Sequence, residues 1–137
     1  MKITADINVL ARAILQDDPG QCRTARKWLK SATLIAVPLP SLCELVWILR
    51  QGARLSKEDT ATAIRALADA DNVVMNRLAV EAGLALLEAG GDFADAIMAH
   101  EGKWLGGETF VSFDRKAVKL LAAQGEATRL LEPKNGS

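Results

Sequence analysis

Tyrosine is absent from this chain, histidine occurs once, at His100, and three Phe and three Trp complete the aromatic complement. That supply leaves no ladder on which successive bases could stack. The two cysteines, Cys22 and Cys43, lie outside any Cys-x-x-Cys or Cys/His cluster. A zinc set is thereby excluded. Both cysteines fall in apolar, helix-like stretches and read as free buried thiols, a usage that fits a reducing cytoplasm. Charge of one sign is missing too, with 17 basic against 17 acidic residues. A large uniform basic field for unselective nucleic-acid binding is therefore excluded, though a local basic rim is not. No apolar run is long enough to span a bilayer, and Asp6 and Arg12 interrupt any signal-peptide core. Internal repeats and low-complexity segments are also lacking.

What remains is a chain of 137 residues, half of them hydrophobic and a quarter charged. This composition predicts one soluble globular domain over residues 1–132, with a polar tail at 133–137. Short apolar runs at 2–5, 33–37, 72–75, 109–112 and 127–131 read as strands. Helical spacing of apolar residues covers 7–15, 21–31, 40–51, 57–69, 77–89, 93–103 and 115–124. The 40–51 segment is apolar nearly all round, which predicts burial. Strands alternating with helices point to an α/β fold: a small central parallel sheet of four to five short strands, flanked by helices on both faces.

Four carboxylates stand out: Asp6, Glu44, Asp95 and Asp114. Asp6 and Asp114 end strand-like runs, Asp95 lies in a first helical turn, and Glu44 interrupts the apolar 39–49 stretch. Helices that follow parallel strands start at one edge of the sheet, so the spacing allows all four to meet on one rim. Each also has a plainer reading. Asp6 and Asp114 are good helix N-caps. Asp92, with Asp95 three residues on, resembles a capping box. Glu44 could be neutralised by Arg50 or Arg12. If the four do converge, mutual repulsion requires a cation, and an all-oxygen set selects Mg²⁺ or Mn²⁺. Such an ion suits phosphodiester hydrolysis. Arg115, Lys116 and Arg50 are candidate contacts for a phosphate backbone, against the ordinary reading of solvated helix faces.

Four segments resemble the PIN domain, and specifically the small VapC-type toxin ribonucleases. They are Asp6-Ile7-Asn8-Val9-Leu10, the run 41–50 around Glu44, Asp92-Phe93-Ala94-Asp95-Ala96, and Thr109-Phe110-Val111-Ser112-Phe113-Asp114-Arg115-Lys116-Ala117. They follow the family's order between residue 3 and about 122. The resemblance implies that Asp6, Glu44, Asp95 and Asp114 form an acidic metal site, supported by Asn8, Asp92 and Ser112. Ile7 stands where the family usually has Thr. Ser112 stands where Thr is more common. The resemblance also implies a homodimer, a VapB-type antitoxin partner, and structured RNA such as transfer RNA as substrate.

Two alternatives stay open. One is a catalytically inactive PIN-like binding module. The other is a haloacid-dehalogenase-like phosphatase with Asp6 as nucleophile and Gly91-Asp92 in the metal segment. That family wants a second Asp where Asn8 stands, and its metal segment should follow a strand.

Overall fold

The computed structural model describes residues 1–133, so most of the expected polar tail, 134–137, lies outside the described residues. The chain divides into two compact units, Met1–Arg77 and a second from Leu78 onward.

The first unit is built on β1 (Lys2–Thr4), β2 (Leu34–Ala36) and β3 (Val73–Val74), all parallel, in the order β1-β2-β3. Register pairs Ile3 with Ile35 and Ile35 with Val73. Parallel neighbours need long crossovers. Here each crossover is a pair of helices: α1 (Ile7–Leu15) with α2 (Pro19–Ser31), then α3 (Leu39–Trp47) with α4 (Lys57–Asp69). Asp18 caps α2 by accepting from the Gln21 amide at 3.1 Å, and Pro19 occupies its first turn, so this helix starts earlier than periodicity alone predicts. Ser56 caps α4, its hydroxyl accepting from the Asp59 amide at 3.0 Å.

Helix α3 departs from expectation in two ways. Its regular part ends at Trp47, and the chain continues as a π-helical turn, Ile48–Gly52. It is also one-sided rather than buried all round. Leu39, Leu42, Leu45, Val46 and Leu49 are buried, while Pro40, Glu44, Trp47 and Gln51 are exposed. Trp47, the residue that made the helix look apolar throughout, retains 65% of its surface.

The second unit contains most of α5 (Arg77–Glu88), then α6 (Phe93–Trp104), β4 (Phe110–Ser112), α7 (Arg115–Ala123) and β5 (Thr128–Leu130). β4 and β5 pair in parallel around α7, Val111 opposite Arg129. The five expected strands are all present, hydrogen-bonded as three and two. Leu86, Ala96, Ala99 and Leu121 form a buried cluster joining α5, α6 and α7. Phe93 opens α6 and is 1% exposed. It lies against Gly83 so closely that a Cβ there would stand 2.5 Å from its ring. Gly90 ends the turn after α5 with φ +96, a conformation that favours glycine.

Candidate active site

In the first unit, Asp6 and α3 follow β1 and β2 at the same edge, the carboxyl end of the parallel sheet. Asp6 is the N-cap of α1; its Oδ2 accepts from the Asn8 amide at 3.4 Å. Asn8 thus supports Asp6 through its backbone. Glu44 is the sixth residue of α3. It therefore sits about 7.5 Å of helical rise beyond the first residue. Its carboxylate is exposed, contrary to the buried setting its apolar neighbours suggest. The reason is helical geometry: Leu42, Leu45, Val46 and Leu49 occupy the inner face, and Glu44 shares the outer one with Trp47.

Neither expected arginine neutralises Glu44 among the described residues. Arg12 donates Nη1 to Asp17 at 2.8 Å and Nε to Gln21 at 2.9 Å. Half-buried Arg50 donates Nη1 to the Leu55 carbonyl at 2.9 Å, where it braces the turn after α3. A groove of about 360 Å³ opens between α1 and α2, lined by Asn8, Arg12, Gln21, Thr24 and Trp28 among others.

The second unit gathers three carboxylates closely enough to feel one another. Asp92 is the N-cap of α6, its Oδ1 accepting from the Ala94 amide at 3.0 Å. It caps that amide rather than the amide of Asp95, which bonds the Asp92 carbonyl instead, so the expected capping box is not formed among the described residues. Asp114 is the N-cap of α7, its Oδ1 accepting from the Lys116 and Ala117 amides at 3.0 and 3.1 Å. Ser112 fixes the approach to that cap: its hydroxyl accepts from the Asp114 amide at 2.9 Å. Asp95 lies in the first turn of α6 and is half-buried. Burial first, then the charges of Asp92 and Asp114, hold its carboxyl above the usual carboxylate range. Desolvation and like charge both favour the protonated acid.

The N-cap readings of Asp6, Asp92 and Asp114 are thus realised. Capping does not exclude a second role, because each cap bond falls on one carboxylate oxygen. The haloacid-dehalogenase alternative loses its footing, since Asp92 follows helix α5 and not a strand.

All candidate ligands are carboxylates, the donor chemistry of hard divalent ions. The repulsion on Asp95 is of the kind that a cation relieves. In position, however, no group of three or more His, Cys, Asp or Glu among the described residues is arranged to hold a metal ion. The two findings are compatible. Charges interact over several ångströms, whereas a cation demands oxygens at about 2.0–2.6 Å.

Of the basic candidates, Arg115 pairs with Glu132 at 3.0 Å with both side chains exposed, and Lys116 is exposed. Two aromatic residues that composition gave no reason to single out also stand beside acidic positions. Trp47 lies one helical turn from Glu44, and Phe113, 65% exposed, directly precedes Asp114. Exposure is what composition could not report.

His100 lies five residues beyond Asp95 on α6, with Nε2 buried and unpartnered among the described residues. Cys22, which is buried, and Cys43, which is half-buried, are not joined in a disulfide. No helix among the described residues is long and apolar enough to cross a membrane.

No curated protein matches this sequence. Residues 3–122 match the family model of the PIN domain, whose members are typically nucleases. The match takes in all four candidate carboxylates and both compact units, and by it the chain belongs to the PIN domain family.

Proposed function

We propose that this chain is a metal-dependent endoribonuclease, the toxin of a VapBC-type pair, which hydrolyses phosphodiester bonds in structured RNA such as transfer RNA. Family membership supports nuclease-type activity. The observation that carries the cation requirement is the half-buried Asp95 carboxyl, held above the usual carboxylate range by burial and then by the like charges of Asp92 and Asp114. Asp6, Glu44, Asp95 and Asp114 would hold Mg²⁺ or Mn²⁺. Bound there, the ion would neutralise phosphate oxygens and lower the pKa of water.

The chain's own groups have separate tasks. A carboxylate of this set would take the proton of the attacking water, and the departing ribose oxygen would be protonated from solvent. Asp92 and Ser112 fix the starts of α6 and α7, and with them the directions of Asp95 and Asp114. Asn8 does the same for Asp6. Arg115 and Lys116 contact the phosphate backbone; the exposed pairing of Arg115 with Glu132 is weak enough to yield to it. Arg50 is committed to bracing its turn and is the least suited of the three.

A homodimer is supported by large apolar side chains left in solvent, among them Leu78, Trp104 and Leu105 at 72%, 75% and 86% exposure. A VapB-type antitoxin completes the pair, and cysteines outside any disulfide suit action in the cytoplasm.

The test is cleavage of RNA by the purified protein with Mg²⁺, with Mn²⁺ and with EDTA, alongside Asp95→Asn. Cleavage is expected only with the metal and only in the native chain. Undiminished cleavage in EDTA, or in Asp95→Asn, overturns the assignment.

A second reading is a binding module without catalysis, favoured by the lack of a gathered ligand set among the described residues. Calorimetric titration with Mn²⁺ separates the two. Heat that saturates near one ion per chain and vanishes in Asp95→Asn supports the enzyme. No heat, together with no cleavage, supports the module.

A further inference from the structure

We propose that Trp47 is the surface on which an unpaired nucleobase of the substrate stacks, beside the phosphodiester to be cut. The inference rests on the ribonuclease reading above and adds a residue that positions the substrate. The exposed stripe of α3 carries Pro40, Glu44 and Trp47. Within it Trp47 keeps 65% of its surface while its neighbours Leu45, Val46 and Leu49 are buried. Residues three apart on a helix have Cβ atoms about 5–6 Å from each other, so the indole stands beside the Glu44 carboxylate. The buried leucines fix the helix beneath it, which makes the ring a preorganised platform.

The segment that follows is unusual in the same place. The α-helix ends at Trp47 and a π-helical turn begins. Arg54 then takes φ +57, a left-handed conformation rarely adopted by a residue with a side chain. Three bonds hold this turn: Ala53 amide to Ile48 carbonyl, Leu55 amide to Leu49 carbonyl, and Arg50 Nη1 to Leu55 carbonyl, each 2.9 Å. Turns of this kind gather at functional sites.

Charge explains why a neutral contact is needed. The chain has no net charge, and the outer face of α3 is acidic at Glu44. Phosphate attraction is therefore limited there, whereas stacking on an aromatic ring adds affinity without charge. Every base has a π-face, so the platform selects unpaired nucleotides without reading their sequence.

The probes are twelve-nucleotide single-stranded oligo(A) and a blunt RNA duplex, with Trp47→Ala and Trp47→Phe. Trp47→Ala is expected to raise KM for the single strand by roughly ten- to a hundredfold. Its kcat should change little, and Trp47→Phe should restore most of the loss. The salt dependence of KM should stay as in the native chain, because no phosphate contact is removed. Oligo(A) should also quench the remaining tryptophan in a Trp28→Phe/Trp104→Phe background.

Unchanged KM, failure of the Phe rescue, or absence of quenching overturns the proposal. So does a Trp47→Ala deficit confined to self-association in sedimentation, which would make the ring a protein contact. If the native chain cleaves no RNA, the hydrolase reading fails, and quenching still decides whether Trp47 stacks a base.

Discussion

Asp6 in the first unit and Asp114 in the second have the same local part, accepting backbone amides at a helix start directly after a parallel strand. Their company differs. Asp6 is exposed, and Glu44, the other acidic candidate of its unit, is exposed on the outer face of α3. Asp114 acts on a half-buried third carboxyl, Asp95, together with Asp92. Unfavourable electrostatics is therefore recorded in the second unit, at Asp95. A carboxylate that water already solvates gives little reason to infer a ligand, whereas one held near two others and partly desolvated does.

The largest expected effect tests whether both units serve one reaction. Asp6→Asn and Asp95→Asn are each expected to lower cleavage by a hundred- to a thousandfold or more, on the order of 3–4 kcal/mol of barrier. The double variant should lose scarcely more than either single one, since groups acting as a unit are strongly non-additive. Full activity in Asp6→Asn would confine the chemistry to the second unit. Fluorogenic RNA turnover at saturating Mg²⁺ is the measurement.

Next in size is the response to the ion. Mn²⁺ at about a hundred times its dissociation constant should stabilise the native chain by about 2.7 kcal/mol. Thermal melts should show that gain shrink in Asp95→Asn. An equal gain in the variant would place the ion away from Asp95.

Much of the fold was legible because it depends on local rules. Ser56, Asp92 and Asp114 mark helix starts, and the structure places caps at all three, whereas the cap at Asp18 lies in a stretch that reads as a turn. The strands were legible from short apolar runs, while their grouping into three and two was not, because pairing is non-local. Glu44 shows where the sequence misleads. Its neighbours in the chain are apolar, yet burial on a helix is decided by angle, and Glu44 points with Trp47. Trp47 counted toward a buried helix when read by hydropathy and proves to be its most accessible apolar residue. The raised pKa of Asp95 was only half legible. Asp92 is near in sequence, but Asp114 is nineteen residues away and is brought in by the fold.

A smaller effect tests the positioning of Asp114. Ser112→Ala removes the hydroxyl that accepts from the Asp114 amide. Loss of one such bond costs about 0.5–1.5 kcal/mol. The variant should melt slightly earlier, as denaturant titration can measure. It should also need more Mn²⁺ for half-maximal activity, by up to about tenfold, if Asp114 is a ligand. Melting earlier with unchanged metal demand would leave Ser112 a structural residue only.

The smallest effect is the most specific to the second unit. The Asp95 carboxyl is held above its ordinary value of 3.8 in the folded chain. The folded state therefore binds this proton more tightly than the unfolded state does. Its contribution to stability is fully present below about pH 4 and is lost as pH rises through the folded value. An amide at this position has no charge to desolvate and none for Asp92 and Asp114 to repel. Asp95→Asn should thus match the native chain at the acid end and grow more stable relative to it as pH rises, levelling off once the folded carboxyl has ionised. Urea midpoints from pH 3 to 8 record the difference. A curve for Asp95→Asn that runs parallel to the native one would remove the electrostatic reason for a cation and leave that half of the site to capping alone.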